Sequence, residues 1–231
     1  MSDDLHDAVF YVLGGGTTFP LRNHFALCAP AYGAAAKRIH AILQEKGLNS
    51  VLCLTKMADS SSHVITNNDV DTQLQGLLKK PETSAIILST ALCDFDGRIG
   101  DVEPGWHADR LQSREGELTI KITPSEKVID KIHLERPDVC IVGFKTTTNK
   151  TIEEQFVAAQ RQINSAHVSF VFANDVVTRM NLVIPATAKT ADDILYASQD
   201  REPSLRKLTD VVVENVRQRE RAKKFEDLNH G

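Results

Sequence analysis

Nothing in these 231 residues pairs the cysteines: Cys28, Cys53, Cys93 and Cys140 lie far apart, with no CxxC step and no Cys/His cluster. That excludes a disulfide-stapled scaffold and a thiolate metal knuckle. Three of the four sit in apolar runs, which reads as buried thiols in a reducing compartment. An excess of positive charge is missing too. Lys+Arg 27 against Asp+Glu 31 leaves a net charge of −4, so no global field exists to hold a polyanion, and no nucleic-acid partner is expected. Nor does any apolar run reach the length of a membrane span. The opening stretch MSDDLHDAVFYVLGGG is acidic and its apolar run stops after six residues, so neither a signal peptide nor a membrane partner is expected, and a cytoplasmic location is.

Two common nucleotide signatures are also absent. A GxGxxG reading of the first glycine cluster fails because Phe19 stands where the third glycine belongs, and no GK[ST] step follows. The Tyr and Lys four apart that a short-chain reductase uses are not found at Tyr32 or Tyr196. Dinucleotide oxidoreduction is thereby disfavoured. What remains is ordinary globular composition, 42% hydrophobic and 25% charged, with apolar material for a sizeable core. Length over about 150 gives roughly 1.5 domains, and a single domain over residues 1–231 fits.

Short apolar runs alternate with segments of helical period, the pattern of an α/β, Rossmann-like fold whose mostly parallel sheet carries helices on both faces. The strands are expected at 8–13 (AVFYVL), 50–54, 84–90, 138–144 and 168–173. Ala35, Ile39, Ile42 and Leu43 share one helical face, with Pro30 in the entry turn and Gly47 as the C-terminal cap. Val70, Leu74, Leu77 and Leu78 mark a second helix, and Ser125 is expected to cap a third that turns Val128, Ile129 and Ile132 inward. A fourth opens on the capping box Thr151/Glu154, and the last runs from about Ser204 into a charged tail after Arg217. Two stretches break the rhythm. Residues 57–69 are rich in Ser and Asn, and residues 95–116 are long enough for a binding loop, a lid or a small subdomain.

Chemistry gathers at strand ends. Gly14 to Thr18 (GGGTT) follows the first strand, where backbone N–H groups without Cβ atoms in the way can approach a phosphate, although a tight turn needs glycine as well. Ser89 to Phe95 (STALCDF), Val142 to Asn149 (VGFKTTTN) and Val171 to Val176 (VFANDV) put polar and charged residues where open α/β sheets bind ligands. Each has a plainer reading as a turn or a loop carboxylate.

In this order, GGT, then TALCDF, then RLQS (Arg110 to Ser113) with LTIKITP, then GFKTTTN and FANDV, the segments resemble the phosphopantothenoylcysteine synthetase family over about residues 8–217. The resemblance implies a Rossmann-like, usually dimeric enzyme that joins phosphopantothenate to the amine of cysteine. It does so with ATP or CTP and Mg²⁺, through an acyl nucleotidylate. On the matching motifs it implies that Gly15, Gly16 and Thr17 cradle phosphates, and that Thr90, Ala91 and Asp94 lie along the nucleotide. Phe144 would pack on the base or sugar, Lys145 and Asn174 would flank the pocket, and Arg110 would supply charge to the transferring phosphoryl group. Arg22 corresponds to an arginine before the substrate loop. Plainer readings are core for Phe144 and surface ion pairs for Arg22 and Arg110. The chain departs from the family at RNHFALCAPAYG (Arg22 to Gly33), where the family's serines and middle glycine are gone, and at Gln162 and Ala166, where several bacterial members carry lysine. An ungapped alignment puts Ala26 at the family's acyl-holding asparagine, and a slip of three residues restores Asn23; both stay open.

Overall fold

The computed structural model describes residues 5–132 and 136–230. In chain order the first elements are β1 (Val9–Gly14), β2 (Thr18–Arg22), β3 (Phe25–Cys28), α1 (Ala34–Glu45), β4 (Ser50–Leu54), α2 (Asn67–Leu78) and β5 (Thr83–Leu88). There follow β6 (Phe95–Ile99), β7 (Ile120–Pro124), β8 (Cys140–Thr147), α3 (Ile152–Ala166), β9 (Phe170–Asp175), β10 (Asn181–Pro185), β11 (Tyr196–Ser198) and α4 (Arg201–His230). Seven strands form one sheet in the order β11-β10-β9-β8-β5-β1-β4. The five from β4 to β9 run parallel, and β10 and β11 are antiparallel additions. The expected α/β sheet, mostly parallel and covered on both faces, is therefore what forms.

β1 shows why. All six of its residues are buried, and alternate side chains feed two separate cores. Val9, Tyr11 and Leu13 pack with α2, α3 and the 3₁₀ turn Val128–Lys131 on one face. Phe10 and Val12 pack with Ile39, Ile42 and Leu43 of α1 and Leu205, Leu208 and Val212 of α4 on the other. A strand buried on both sides reads as a continuous apolar run because both faces of its pleat are core.

The structure differs from the sequence reading in several places. The glycine turn leads into the β2–β3 hairpin rather than a helix, and α1 follows only after residue 33. The 95–116 stretch, by contrast, is the small subdomain that its length allows: β6 opens it and pairs with β7, and this ribbon lies against the β2–β3 hairpin. Ser125 caps no helix. Its hydroxyl donates to Asp96 Oδ1 at 2.5 Å, and Val128, Ile129 and Ile132 reach the core from the 3₁₀ turn and the residue after it. α2 begins within the stretch read as a break, because Thr66 and Asp69 form a capping box there. Finally, β10 and β11 were not expected, and α4 begins at Arg201 rather than near Ser204.

Candidate functional site

Numbered along the sheet, the parallel strands have the order 2-1-3-4-5, in which the chain leaves β1 toward one face and β5 toward the other. A crevice therefore opens at the carboxyl ends of β1 and β5, the topological switch point where such sheets take ligands. The turn after β1 lines it. Gly15 has φ +101°, and a Cβ there would strike Thr55 Oγ1; a Cβ on Gly16 would strike the Ala29 carbonyl, Met57 Sδ and Ala31 N. Glycine is required twice, once for the backbone angle and once for close approach. The carbonyl of Gly15 accepts from Ala91 N at 2.9 Å, which brings the Thr90–Ala91 segment alongside.

α1 returns to the same place. Its N-cap, Gly33, lies in the left-handed region with φ 72°, provides no side-chain cap, and no acidic residue occupies the first turn. The first N–H groups of α1 thus keep their positive end beside Gly14 and Gly15, an arrangement that suits an anion.

The other residues drawn from the motifs fall into two groups. Along the crevice edge, Thr90 and Ala91 are half-buried and Asp94 is exposed, with Lys127 as its ion-pair partner. Phe144 is half-buried against Phe172, ring centroids 5.1 Å apart. Lys145 is exposed, and buried Asn174 accepts from Thr146 Oγ1 at 3.2 Å. Thr17 sits in the turn but is fully buried. Its hydroxyl donates to Asn67 Oδ1 at 2.6 Å and accepts from Cys93 N at 2.8 Å, so the side chain fastens the turn to α2 and to the 91–93 segment.

Arg22, Asn23 and Arg110 belong to the β subdomain instead. Arg22 is buried, and its Nη1 and Nη2 donate to the carbonyls of Leu21 and Ile99 at 2.7 Å each. Neither a surface ion pair nor an open substrate contact describes it; it joins β2 to β6. Asn23 stands at the hairpin tip, its Nδ2 donating to Trp106 O at 3.1 Å. With β2 extended, that tip is about 15 Å from the glycine turn. Ala26, the alternative position, pairs with Pro20 in the middle of the hairpin. Arg110 is exposed and makes no hydrogen bond or ion pair among the described residues. Within one chain these three are not brought to the glycine turn.

Three residues the motifs did not single out emerge. Asn67 bridges Thr17 and Cys93, its Nδ2 also donating to Cys93 O at 2.8 Å. Its one signal in the sequence is a place just after the Thr66 cap. Lys127 neutralises Asp94. Arg201 opens α4 and lays its guanidinium over Phe172, 5.8 Å from the ring centroid. A cavity of about 320 Å³, bounded by Leu27, Cys28, Leu92, Cys93, Phe95 and Ile122 among others, adjoins the crevice on the β-subdomain side.

Local fields are shifted accordingly. Burial, reinforced by the nearby Asp96, Cys28 and Asp94, pushes the Cys93 thiol above its usual range. Burial also works against the Asp175 carboxylate. Donation from the N–H groups of Thr178, Lys150 and Val177 and from the Thr147 hydroxyl outweighs it and holds the carboxyl well below the usual range. Asp175 is thus the Asx-turn that ends β9, not a free acid. Among the described residues no group of three or more His, Cys, Asp or Glu side chains is gathered to hold a metal, and no helix is long and apolar enough to cross a membrane.

No protein-family model matches the chain. Over 102 residues, 44% of this chain, it is 31% identical to the coenzyme A biosynthesis bifunctional protein CoaBC of Thermococcus kodakarensis, and it spans only 23% of that protein. Among solved structures, the DNA/pantothenate metabolism flavoprotein from Streptococcus pneumoniae superposes with a TM-score of 0.72 at 16% identity, covering 91% of this chain and 98% of that one. A Cab2 mutant in complex with phosphopantothenate-cysteine gives 0.65 at 13% identity, covering 94% and 89%. The C-terminal domain of a CoaBC protein gives 0.64 at 10% identity, covering 94% and 97%. These likenesses establish a shared fold over nearly the whole chain, and the resemblance read from the motifs agrees with both comparisons.

Proposed function

We propose that this chain is a phosphopantothenate-cysteine ligase of the phosphopantothenoylcysteine synthetase type, acting as a single domain over residues 1–231. The observation that carries the reading is the anion-accepting corner at the switch point: the Gly15–Gly16 turn faces the uncapped start of α1. The sheet that holds it has the fold of a protein solved with phosphopantothenate-cysteine. A carboxylate is a poor electrophile, so an amide is made by first joining it to the α-phosphate of ATP or CTP with release of pyrophosphate. The amine of cysteine then attacks the acyl nucleotidylate and the nucleoside monophosphate leaves.

In this reading the triphosphate lies over Gly15, Gly16 and the first N–H groups of α1, with Thr17 holding the turn in shape from behind. Thr90 and Ala91 line the nucleotide, Phe144 stacks on it, and Lys145 and Asn174 flank it. Bringing a carboxylate to a polyphosphate costs Coulomb repulsion. Mg²⁺ neutralises part of that charge when bound. It would be held chiefly by the phosphates, with Asp94 as the carboxylate within the motif, since the described residues gather no metal cluster of their own. Arg110, on a loop of the β subdomain with no hydrogen bond or ion pair among the described residues, would supply further positive charge once a second copy brings that subdomain to the turn, and the adjoining cavity leaves room for the acid.

The acid side of the site is best completed by a second copy. Phe25, Phe95, Trp106 and Ile122 all expose apolar surface on the β subdomain, a patch that a homodimer would cover. A partner's hairpin, with Asn23 at its tip and Arg22 holding it in shape, would then supply what one chain's hairpin cannot bring to its own glycine turn. The small-molecule chemistry and the balance of charge suit a cytoplasmic enzyme with no nucleic-acid or membrane partner.

A second reading, a nucleotide-binding homologue that no longer ligates, is favoured by one observation: neither Asn23 nor Ala26 offers an amide beside the crevice of its own chain. One assay separates the two. The protein is incubated with Mg²⁺, ATP or CTP, phosphopantothenate and cysteine, and pyrophosphate and product mass are measured. Product heavier than phosphopantothenate by cysteine less water is expected. Nucleotide binding without turnover would select the second reading, and turnover that survives Asn23→Ala would remove Asn23 from the mechanism.

A further inference from the structure

We infer that Asn67 is a positioning residue of the ligation: its carboxamide fixes the wall of the acid's cavity against the glycine turn, so that the carboxylate and the α-phosphate meet at one separation. The inference rests on the ligase reading above and adds to it the residue that sets the geometry of the first step.

The two halves of the site come from different segments. The cavity takes its lining from Leu27, Cys28 and Ala29 and from Leu92, Cys93 and Asp94, while the phosphates are assigned to Gly15 and Gly16. Thr17 touches all three. Its backbone N–H donates to Ala91 O and its carbonyl accepts from Ala29 N, both at 3.0 Å, and its hydroxyl accepts from Cys93 N at 2.8 Å. A hydroxyl has one proton to give. It goes to Asn67 Oδ1 at 2.6 Å, although Ala91 O stands 3.4 Å away as a second acceptor. Without Asn67 the Thr17 hydroxyl has another direction in which to turn.

Asn67 also takes hold of Cys93 on both sides. Its Oδ1 shares the Cys93 N–H at 3.1 Å and its Nδ2 donates to Cys93 O at 2.8 Å, so the amide meets both peptide groups of Cys93 as a neighbouring strand would. Only one orientation of the carboxamide satisfies the pair. One residue on, the carbonyl of Asp94 accepts from Ser125 N at 2.9 Å. The backbone is thereby held before Asp94 by Asn67 and after it by Ser125. Asn67 is placed in turn as the first residue of α2, directly after the Thr66 cap, and Ile65 O accepts from Thr18 N at 2.9 Å. Helix, turn and cavity wall form one hydrogen-bonded unit, which the Asn67 carboxamide closes.

All of these partners belong to the protein, so Asn67 acts on distance. Reacting atoms must come within about 3–3.5 Å, and a misplacement of about 1 Å costs up to about a hundredfold in rate. The loss falls on turnover, because each half of the site keeps its own contacts to its own ligand.

The test uses the full chain. Pyrophosphate release is followed with Mg²⁺, ATP or CTP, phosphopantothenate and cysteine, and calorimetry gives separate Kd values for phosphopantothenate and for a non-hydrolysable nucleotide analogue. Asn67→Asp is the sharper variant: it is isosteric, keeps the Oδ1 acceptor and suits the first turn of a helix, but it sets a carboxylate oxygen against Cys93 O in place of the Nδ2 donor. Both Asn67→Asp and Asn67→Ala are expected to keep each Kd within about threefold and to lower kcat per folded molecule at least tenfold. Thr83→Val removes a buried hydroxyl that donates to Leu77 O at the opposite end of β5; it should lose stability and keep kcat. Folded Asn67 variants with wild-type kcat would overturn the inference. So would a loss that appears as a weaker Kd for one ligand, which would make Asn67 part of that ligand's site. A wild type that releases no pyrophosphate would instead remove the ligase reading, and this inference with it.

Discussion

Gly14 ends β1 where α1 crosses it, and its backbone is not in the left-handed region, so the obstacle to a side chain there is steric. A Cβ at this position would stand inside 3.0 Å of Ala36 Cβ, whereas the next neighbours, Ser89 Oγ at 3.3 Å and Gly33 Cα at 3.5 Å, need little or no movement. Two carbons want about 3.5–4.0 Å, so Gly14→Ala forces α1 outward by roughly 1 Å. That helix carries Ile39, Ile42 and Leu43, all fully buried, and overpacking of this kind costs about 2 kcal/mol. Ala36→Gly alone removes a buried methyl and puts glycine into a helix, about 1.5 kcal/mol together. The double variant moves the methyl across the contact. Its remaining cost is that of the helical glycine, about 1 kcal/mol, which makes the pair about 2.5 kcal/mol better than the singles predict. Urea unfolding of the four proteins at a common m-value measures this. Single-variant losses that simply add, within about 0.5 kcal/mol, would refute the reasoning. The same exchange should fail one residue on: Thr55→Ala removes the atom that Gly15→Ala would strike, but the φ of +101° remains.

Three further outcomes are expected. Cys28 is exposed, Cys93 and Cys140 are buried, and burial pushes the Cys140 thiol up to about 11; a disulfide reagent at neutral pH should therefore label one thiol quickly, and Cys28→Ser should abolish that phase in a mass-resolved time course. Hydrogen bonds from Arg136 hold the Asp138 carboxyl down to about 2 from 3.8. Since ionisation is favoured in the folded state, its contribution is complete above pH 4 or so and is lost as pH falls through 2. With about a third of the side chain exposed, solvent screening reduces it to about 1 kcal/mol. Asp138→Asn should flatten the acid limb of the stability curve by that amount, and parallel limbs would contradict it. Arg110→Ala should lower turnover at least tenfold, about 1.4 kcal/mol of barrier, with an unchanged unfolding midpoint; an unchanged rate would take Arg110 out of the chemistry.

How legible the fold was depended on whether an element carries its own signal. β1 and β5 are apolar throughout because both faces are core, and α3 announces itself by Thr151 and Glu154. The β2–β3 hairpin has no such signature. Pro20 interrupts β2, and the register shifts between Pro20 and Arg22, so a segment that survives as a two-stranded edge ribbon reads as turn. β6 hides for a related reason. Its Gly97 is the point where Leu21 and Leu27 pack closest, and a glycine beside Asp96 and Arg98 looks like loop unless the packing partner is known. β11 is three residues long and is defined only by its pairing with β10.

The site divides along the same line. Gly15, Ala91 and Phe144 sit at ends of strands that were already visible, and topology alone carries them to one crevice. Thr17 looks like a phosphate ligand in the string GGGTT, yet its hydroxyl is claimed by Asn67, fifty residues away. A side chain's hydrogen-bond partner is a long-range fact even when its position is local. Arg201 is the converse case. In sequence it is one charge among many in REPSLRK, and only the fold shows that Glu202 and Arg206 are spent on one another and on Arg38 while Arg201 meets no carboxylate among the described residues. A guanidinium laid over a buried ring is information that exists only after folding, which is why Arg201 could not have been drawn from a motif.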